Sequence, residues 1–293
     1  MERENLTQVK LGFGGFDFPY EKADVIFIGA PLDVTSSYRP GYRFAPNKIR
    51  EASANLETYV MPSKIDVFEQ LNISDVGDVT ITPTDLKQTG ERITRVVKRV
   101  RDDGKMPVIL GGEHTVSYFT IQAFNEIFVI HLDAHRDLRE EYLGDSLCHA
   151  TVMRRVLDRL PAERLVQIGV RSCSKEEAEF AQNKKIAAYT SQQVIETPQR
   201  VISSVKKLVG NSQVYLTIDL DVLDPAFAPG VSTPEPGGLS TVEFLRLLKG
   251  LGKLNISAFD VVELVPPYDN GTTSFVAARI IYELLAVIAS MRK

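Results

Sequence analysis

The chain has 293 residues, 44% of them hydrophobic and 25% charged, an ordinary globular composition that fits one large domain without a second core. Its formal net charge of −4, with lysine and arginine scattered, leaves no basic footprint for nucleic acid or an anionic membrane surface. Two cysteines, Cys148 and Cys173, are too few for a disulfide framework and lack zinc-type spacing, so reduced thiols and a cytoplasmic location are expected. The first ten residues, MERENLTQVK, carry no apolar stretch of the signal-peptide kind, and the apolar runs at 25–31 and 127–130 are far too short to span a membrane.

In chain order, Val/Ile-rich runs at 25–29, 108–110, 128–132, 165–169, 214–218 and 256–262 predict strands. They are almost continuously apolar, as parallel strands buried on both faces must be. Helical patterns are expected at 46–57, 85–103, 115–125, 150–160, 175–182, 198–209, 242–250 and 273–288, with Pro46 and Pro198 suited to first turns. No repeat or linker divides the chain. The alternation implies one domain over 1–293, a three-layer α/β/α fold with a mainly parallel sheet. Right-handed crossovers put all strand C-termini on one edge of that sheet, where ligand sites form.

Three chemistry-bearing segments follow three of these strands: Gly111-Gly112-Glu113-His114, His131-Leu132-Asp133-Ala134-His135-Arg136-Asp137 and Asp219-Leu220-Asp221. In an extended backbone alternate side chains project to one side, which brings Asp133, His135 and Asp137 together, and Asp219 with Asp221. A lone Asp after a strand is usually a helix cap and a lone His a satisfied polar group. Six such residues in three matching places exceed what capping explains. Four carboxylates so crowded repel one another unless cations intervene, and two dications balance them where one leaves the cluster at −2. Oxygen-rich ligation with a minority of imidazole suits Mn²⁺. Two such ions about 3.5 Å apart can share a water and generate hydroxide near neutral pH.

Gly-Gly-Glu-His-Thr at 111–115, Asp-Ala-His-Arg-Asp at 133–137 and Thr-Ile-Asp-Leu-Asp-Val-Leu-Asp-Pro at 217–225 resemble the three signatures of the ureohydrolase family, which comprises arginase, agmatinase and their relatives. The likeness extends through Tyr38-Arg39-Pro40-Gly41 and Asp260-Val-Val-Glu263, so it spans nearly the whole chain. It implies an arginase-like fold and two Mn²⁺ per subunit. His114, Asp133, Asp137 and Asp219 would hold one ion, and Asp133, His135, Asp219 and Asp221 the other. One departure is Glu113, where many relatives have Asp. The resemblance further implies a homotrimer or homohexamer.

The same resemblance implies the reaction: a metal-bound hydroxide attacks the carbon of a guanidinium held by Glu263, Asp137 orients it, and His149 shuttles a proton to the departing amine. A carboxylate suits a planar guanidinium through paired hydrogen bonds, and histidine titrates near neutrality. Ala150 follows His149 where relatives commonly have Gly or Ser. Between Asp137 and His149, Glu140, Glu141 and Asp145 make an acidic loop, expected to attract the second cation of agmatine and repel a carboxylate. Agmatine is therefore the expected substrate. The alternatives are another ureohydrolase (arginase, guanidinobutyrase or formimidoylglutamase) and a catalytically silent guanidine-binding relative. Tyr38 is expected to line the pocket and 233–238 to form an ordered loop over it.

Overall fold

The computed structural model of the protein describes residues 5–16 and 18–291. Its strands are β1 (Leu6–Thr7), β2 (Val25–Ala30), a small hairpin of β3 (Tyr59–Val60) and β4 (Ile65–Asp66), β5 (Ile73–Val79), β6 (Met106–Gly111), β7 (Phe128–Leu132), β8 (Leu165–Val170), β9 (Ala187–Thr190), β10 (Val214–Asp219) and β11 (Ile256–Val262). All but the hairpin form one sheet in the order β1-β5-β2-β6-β11-β10-β7-β8-β9. Only the pairing of β1 with β5 is antiparallel. Helices cover both faces. Along β2, Val25 and Phe27 join one apolar cluster while Ile26 and Ile28 join the other, so the sheet is buried on both sides. The three-layer α/β/α fold expected from the sequence is the fold observed.

All six expected strands form, within two residues of their expected ends. Five further strands were not expected: the two-residue β1, β3 and β4, and two longer ones, each of which has a physical reason. The first, β5, reads Ile-Ser-Asp-Val-Gly-Asp-Val, too polar for a buried strand. Its acids are turned onto Arg50, a guanidinium 1% exposed. Arg50 Nε and Nη2 donate to the two oxygens of Asp75 at 2.8 and 2.9 Å, and Nη1 donates to Asp78 at 2.6 Å. This fork pins the helix Ala45–Ser53 to β5, because neither charge can be buried unpaired. The second, β9, is a four-residue half-buried edge strand without an apolar run.

The helix expected at 150–160 is shorter, a 3-10 turn His149–Thr151 followed by Val152–Val156. Thr151 spends its hydroxyl on Ser146 O and accepts from Cys148 N, which kinks the start. The helix Thr272–Met291 is long and apolar enough to cross a membrane, but 67% of its apolar window is buried and it supplies part of the core.

The topology locates the site. The chain passes from β6 to β7 leaving a two-strand gap, later filled by β10 and β11. The four strands β6, β11, β10 and β7 are therefore neighbours at the sheet centre, and all end on the same edge. Register keeps their ends level: Leu132 lies beside Ile218, Asp219 beside Val262, and Leu110 beside Val261.

Candidate metal centre

Past that edge the six acids and imidazoles meet, although not through an extended backbone. Strand β7 stops at Leu132, and Asp133–Asp137 is a loop whose last residue has φ +54°. Asp221 sits in a 3-10 turn, Leu220–Val222, capped by Asp219. The side chains that alternation singled out do come together, but a turning backbone gathers them. The left-handed Asp137 is held from outside: its carbonyl accepts from Met153 N and Arg154 N, and Glu177 accepts from the next amide, Leu138 N, at 3.0 Å.

The side chains fall into two groups. His114 Nδ1 lies 3.2 Å from one oxygen each of Asp133, Asp137 and Asp219. His135 Nδ1 lies 2.9 Å from Asp221 and 3.5 Å from the other oxygen of Asp133. Asp133 is therefore shared, one oxygen to each group. Despite its three close carboxylates, buried His114 Nδ1 makes no directed hydrogen bond. Its opposite nitrogen explains the orientation. Asp260 accepts from Ser117 at 2.6 Å, Ser117 then accepts from Thr217 at 3.1 Å, and Thr217 is left to accept from His114 Nε2 at 2.9 Å. The proton is fixed on Nε2 and the lone pair of Nδ1 is aimed at the three oxygens, the arrangement of a metal-ligating histidine held by an outer partner. The carboxylates around the partnerless nitrogen of His114, and those that share Asp133 around His135, fit a divalent cation in each group.

Electrostatics in the absence of cations tells the same story. Burial opposes charge on His114, yet Asp133, Asp137 and Asp219 hold its pKa well above the ordinary imidazole range. His135 is raised against burial by Asp221 and Asp133. Burial, then the charge of Asp133, lifts Asp137 to about 6, and Asp219 rises well above its usual range through burial and the charges of Asp221 and Asp133. Protons are thus gathered where positive charge is missing. Other buried acids nearby need no cation, because each has donors of its own: Asp260 takes Ser117 and Tyr215, and Glu113 takes Val34 N, Thr35 N and the Thr35 hydroxyl at 2.7–2.8 Å. Burial still pushes the Glu113 carboxyl upward against those donors.

A cavity of about 280 Å³ opens over the cluster, lined among others by Ser37, His135, Arg139, Tyr142, His149, Thr233 and Glu263. Glu263, at φ +68° just after β11, accepts from His114 N at 2.6 Å, and burial pushes its pKa up to about 8. Tyr42 also hydrogen-bonds this carboxylate, which borders the cavity over the cluster. His149 lies across the cavity, its ring edge-on to Tyr142 at 5.9 Å, and burial lowers its pKa to about 4. Of the 233–238 segment expected over the site, Thr233 reaches the cavity wall.

Four residues expected at the rim need correction. Glu140, Glu141 and Asp145 do not line the cavity. Glu140 turns outward to Arg154 and Arg155, and Glu141 and Asp145 are exposed. In their place the wall carries Arg139, 3.7 Å from buried Glu177 and stacked 5.1 Å from the Tyr142 ring. Tyr38 is 65% exposed, and its neighbour Ser37 takes the wall position.

Sequence reasoning named His131 within its segment but gave it no role. It donates from Nε2 to the shared Asp133 at 2.7 Å and is backed by Gln167 at 3.0 Å on Nδ1. Its signal was visible, two places before Asp133 in a strand, but an apolar run hid it. Nothing local could flag Thr35, Ser37 or Thr217, whose partners lie about a hundred residues away.

Comparison with known proteins gives one consistent picture. The family described as Arginase family matches residues 23–287. An agmatinase of Halalkalibacterium halodurans is 39% identical over 273 residues, covering 91% of this chain and 92% of its own. A guanidinobutyrase of Pseudomonas aeruginosa is 35% identical over 276 residues, covering 90% and 86%. The solved structure of the agmatine ureohydrolase of Thermoplasma volcanium superposes with a TM-score of 0.88 at 37% identity, covering 96% of this chain and 94% of that one.

Proposed function

The chain belongs to the arginase family, and from that premise we propose that it hydrolyses agmatine to putrescine and urea. Hydrolysis of a C–N bond in an amidine is the activity of its agmatinase and arginase homologues. The observation that carries the reading is the partnerless Nδ1 of His114 facing three carboxylate oxygens beside Glu263.

Two Mn²⁺ suit the oxygen-rich donor set, one with His114, Asp133, Asp137 and Asp219, the other with Asp133, His135, Asp219 and Asp221. Bound there, divalent ions would lower the pKa of water and supply the nucleophile at neutral pH. The rest falls to the chain. Glu263 holds the guanidinium by charge and paired hydrogen bonds, and its raised pKa falls when that cation arrives. Asp137 orients the attacking water. His149, kept neutral by burial, carries a proton to the departing nitrogen. Atoms balance: the water oxygen ends in urea, both its protons end on the amine, and the positive charge passes from guanidinium to ammonium. A homotrimer or homohexamer in the cytoplasm belongs to the same reading, and two unpaired cysteines accord with a reducing compartment.

Agmatine draws its support from the agmatinase relatives, since the acidic loop faces away. A second reading, a carboxylated guanidine such as 4-guanidinobutyrate, is favoured by Arg139 in the cavity wall and by the guanidinobutyrase relative. Glu177 opposes it by neutralising Arg139. Urea release from agmatine, 4-guanidinobutyrate and arginine by the manganese-loaded protein separates them. We expect kcat/KM for agmatine to exceed that for either carboxylated guanidine. A lead for guanidinobutyrate would replace agmatine with the guanidino acid.

A further inference from the structure

Glu113 stands beside a metal-cluster histidine, is fully buried, and takes no part in the mechanism above. Its Oε2 accepts from Val34 N and Thr35 N, and its Oε1 accepts the Thr35 hydroxyl proton at 2.8 Å. A threonine hydroxyl has one proton to give. With that proton committed to a carboxylate, Thr35 Oγ1 can only accept from its other neighbours, the backbone N of His149 at 3.2 Å and the ring Nδ1 of His149 at 3.4 Å. Thr115, 3.4 Å away, gives its own hydroxyl proton to Glu113, which leaves both lone pairs of Thr35 Oγ1 to those two nitrogens of His149. His149 must place its ring proton on Nδ1, which leaves the lone pair on Nε2, 3.2 Å from the Ser37 hydroxyl in the cavity wall.

We propose that Glu113 and Thr35 are positioning residues that set the tautomer of His149, holding its proton on Nδ1 so that Nε2 is the nitrogen that takes up and hands on a proton. This rests on the reading of His149 as proton carrier, but the tautomer is observable without it. The same logic distinguishes an acid from its amide. Glu113→Gln can keep the two backbone bonds while its NH₂ donates to Thr35, freeing the Thr35 hydroxyl to donate to Nδ1 and driving the ring proton to Nε2.

The chain has only four histidines, so ring ¹⁵N spectra of the zinc-loaded protein, in which the metal is diamagnetic, can be assigned with His149→Ala. The wild type should show His149 protonated at Nδ1. Glu113→Gln and Thr35→Val should move the proton to Nε2, and Thr35→Ser, which keeps the hydroxyl, should not. In the manganese-loaded protein, Glu113→Gln and Thr35→Val should lower kcat about tenfold, less than the ~10²–10⁴ of losing the proton carrier itself, with KM within about twofold. Both losses should vanish in a His149→Ala background. An Nε2-protonated ring in the wild type, or a tautomer indifferent to Glu113→Gln and Thr35→Val, overturns the proposal, as do losses that add to that of His149→Ala. If His149→Ala alone left kcat unchanged while the tautomer still followed Glu113 and Thr35, the assignment would stand and the proton-carrier reading would fail. Thr35→Val serves where Glu113→Gln does not fold.

Discussion

Asp133→Asn is expected to reduce urea release by more than about a thousandfold, the effect of several kcal/mol of lost nucleophile activation. The amide fills the same space and keeps one acceptor oxygen, so the loop Asp133–Asp137 has no steric reason to move. It replaces a lone pair by an N–H at the one residue whose two oxygens serve both donor groups. One group loses its ligand atom and the other keeps a neutral amide oxygen where it had a charged one, a double effect that only Asp219, the other residue assigned to both ions, could share. The variant should carry fewer metal ions than the wild type. It should also lose metal-dependent thermal stabilisation, which at a hundredfold excess over Kd is about 2.7 kcal/mol for one site. Equal activity and equal metal content in Asp133→Asn and wild type would mean that the cluster is a polar network and not a metal centre.

Glu263→Gln carries the second-largest expected effect. Glu263 is 4% exposed and accepts from His114 N, a bond that glutamine keeps through its carbonyl oxygen. What glutamine lacks is the charge. A guanidinium brought beside it is a buried cation without its counter-ion, and breaking a buried pair on one side costs about 3–5 kcal/mol. That corresponds to a loss of about two to three and a half orders of magnitude in kcat/KM. The metal content should not change, because Glu263 belongs to neither donor group. Steady-state kinetics with agmatine, measured beside metal analysis, reads both. Retention of wild-type kcat/KM would remove Glu263 from guanidinium recognition, and a parallel loss of metal would move it into the metal centre.

How far the sequence reaches is set by what is local. Strands buried on both faces announce themselves by unbroken Val/Ile runs, so β2, β6, β7, β8, β10 and β11 were legible, and with them the edge on which the ligands had to lie. The strand β5 was not legible, since Asp75 and Asp78 are made compatible with burial only by Arg50, a residue of a distant helix. At the site, the charge argument needed only four aspartates in two short segments. It was incomplete in one respect: buried acids exceed four, and what separates the cluster from Asp260 and Glu113 is the supply of hydrogen-bond donors, which only the fold reveals. The substrate-tail residues failed for a related reason. Charge in a loop says nothing about direction, and Arg154 and Arg155, on the short helix after His149, draw Glu140 outward. His149 was named by resemblance, but its tautomer depends on Thr35 and Glu113, contributed by two separate loops.

The central claim is that buried carboxylates gather here because two dications belong among them. Anomalous diffraction at the manganese edge from manganese-soaked crystals, with the metal-to-chain ratio measured on the same preparation, addresses it most directly. The expected result is a ratio of two and a pair of peaks about 3.5 Å apart, one on each side of the Asp133 carboxylate. A single peak, or none with the side chains hydrogen-bonded to water, would contradict it.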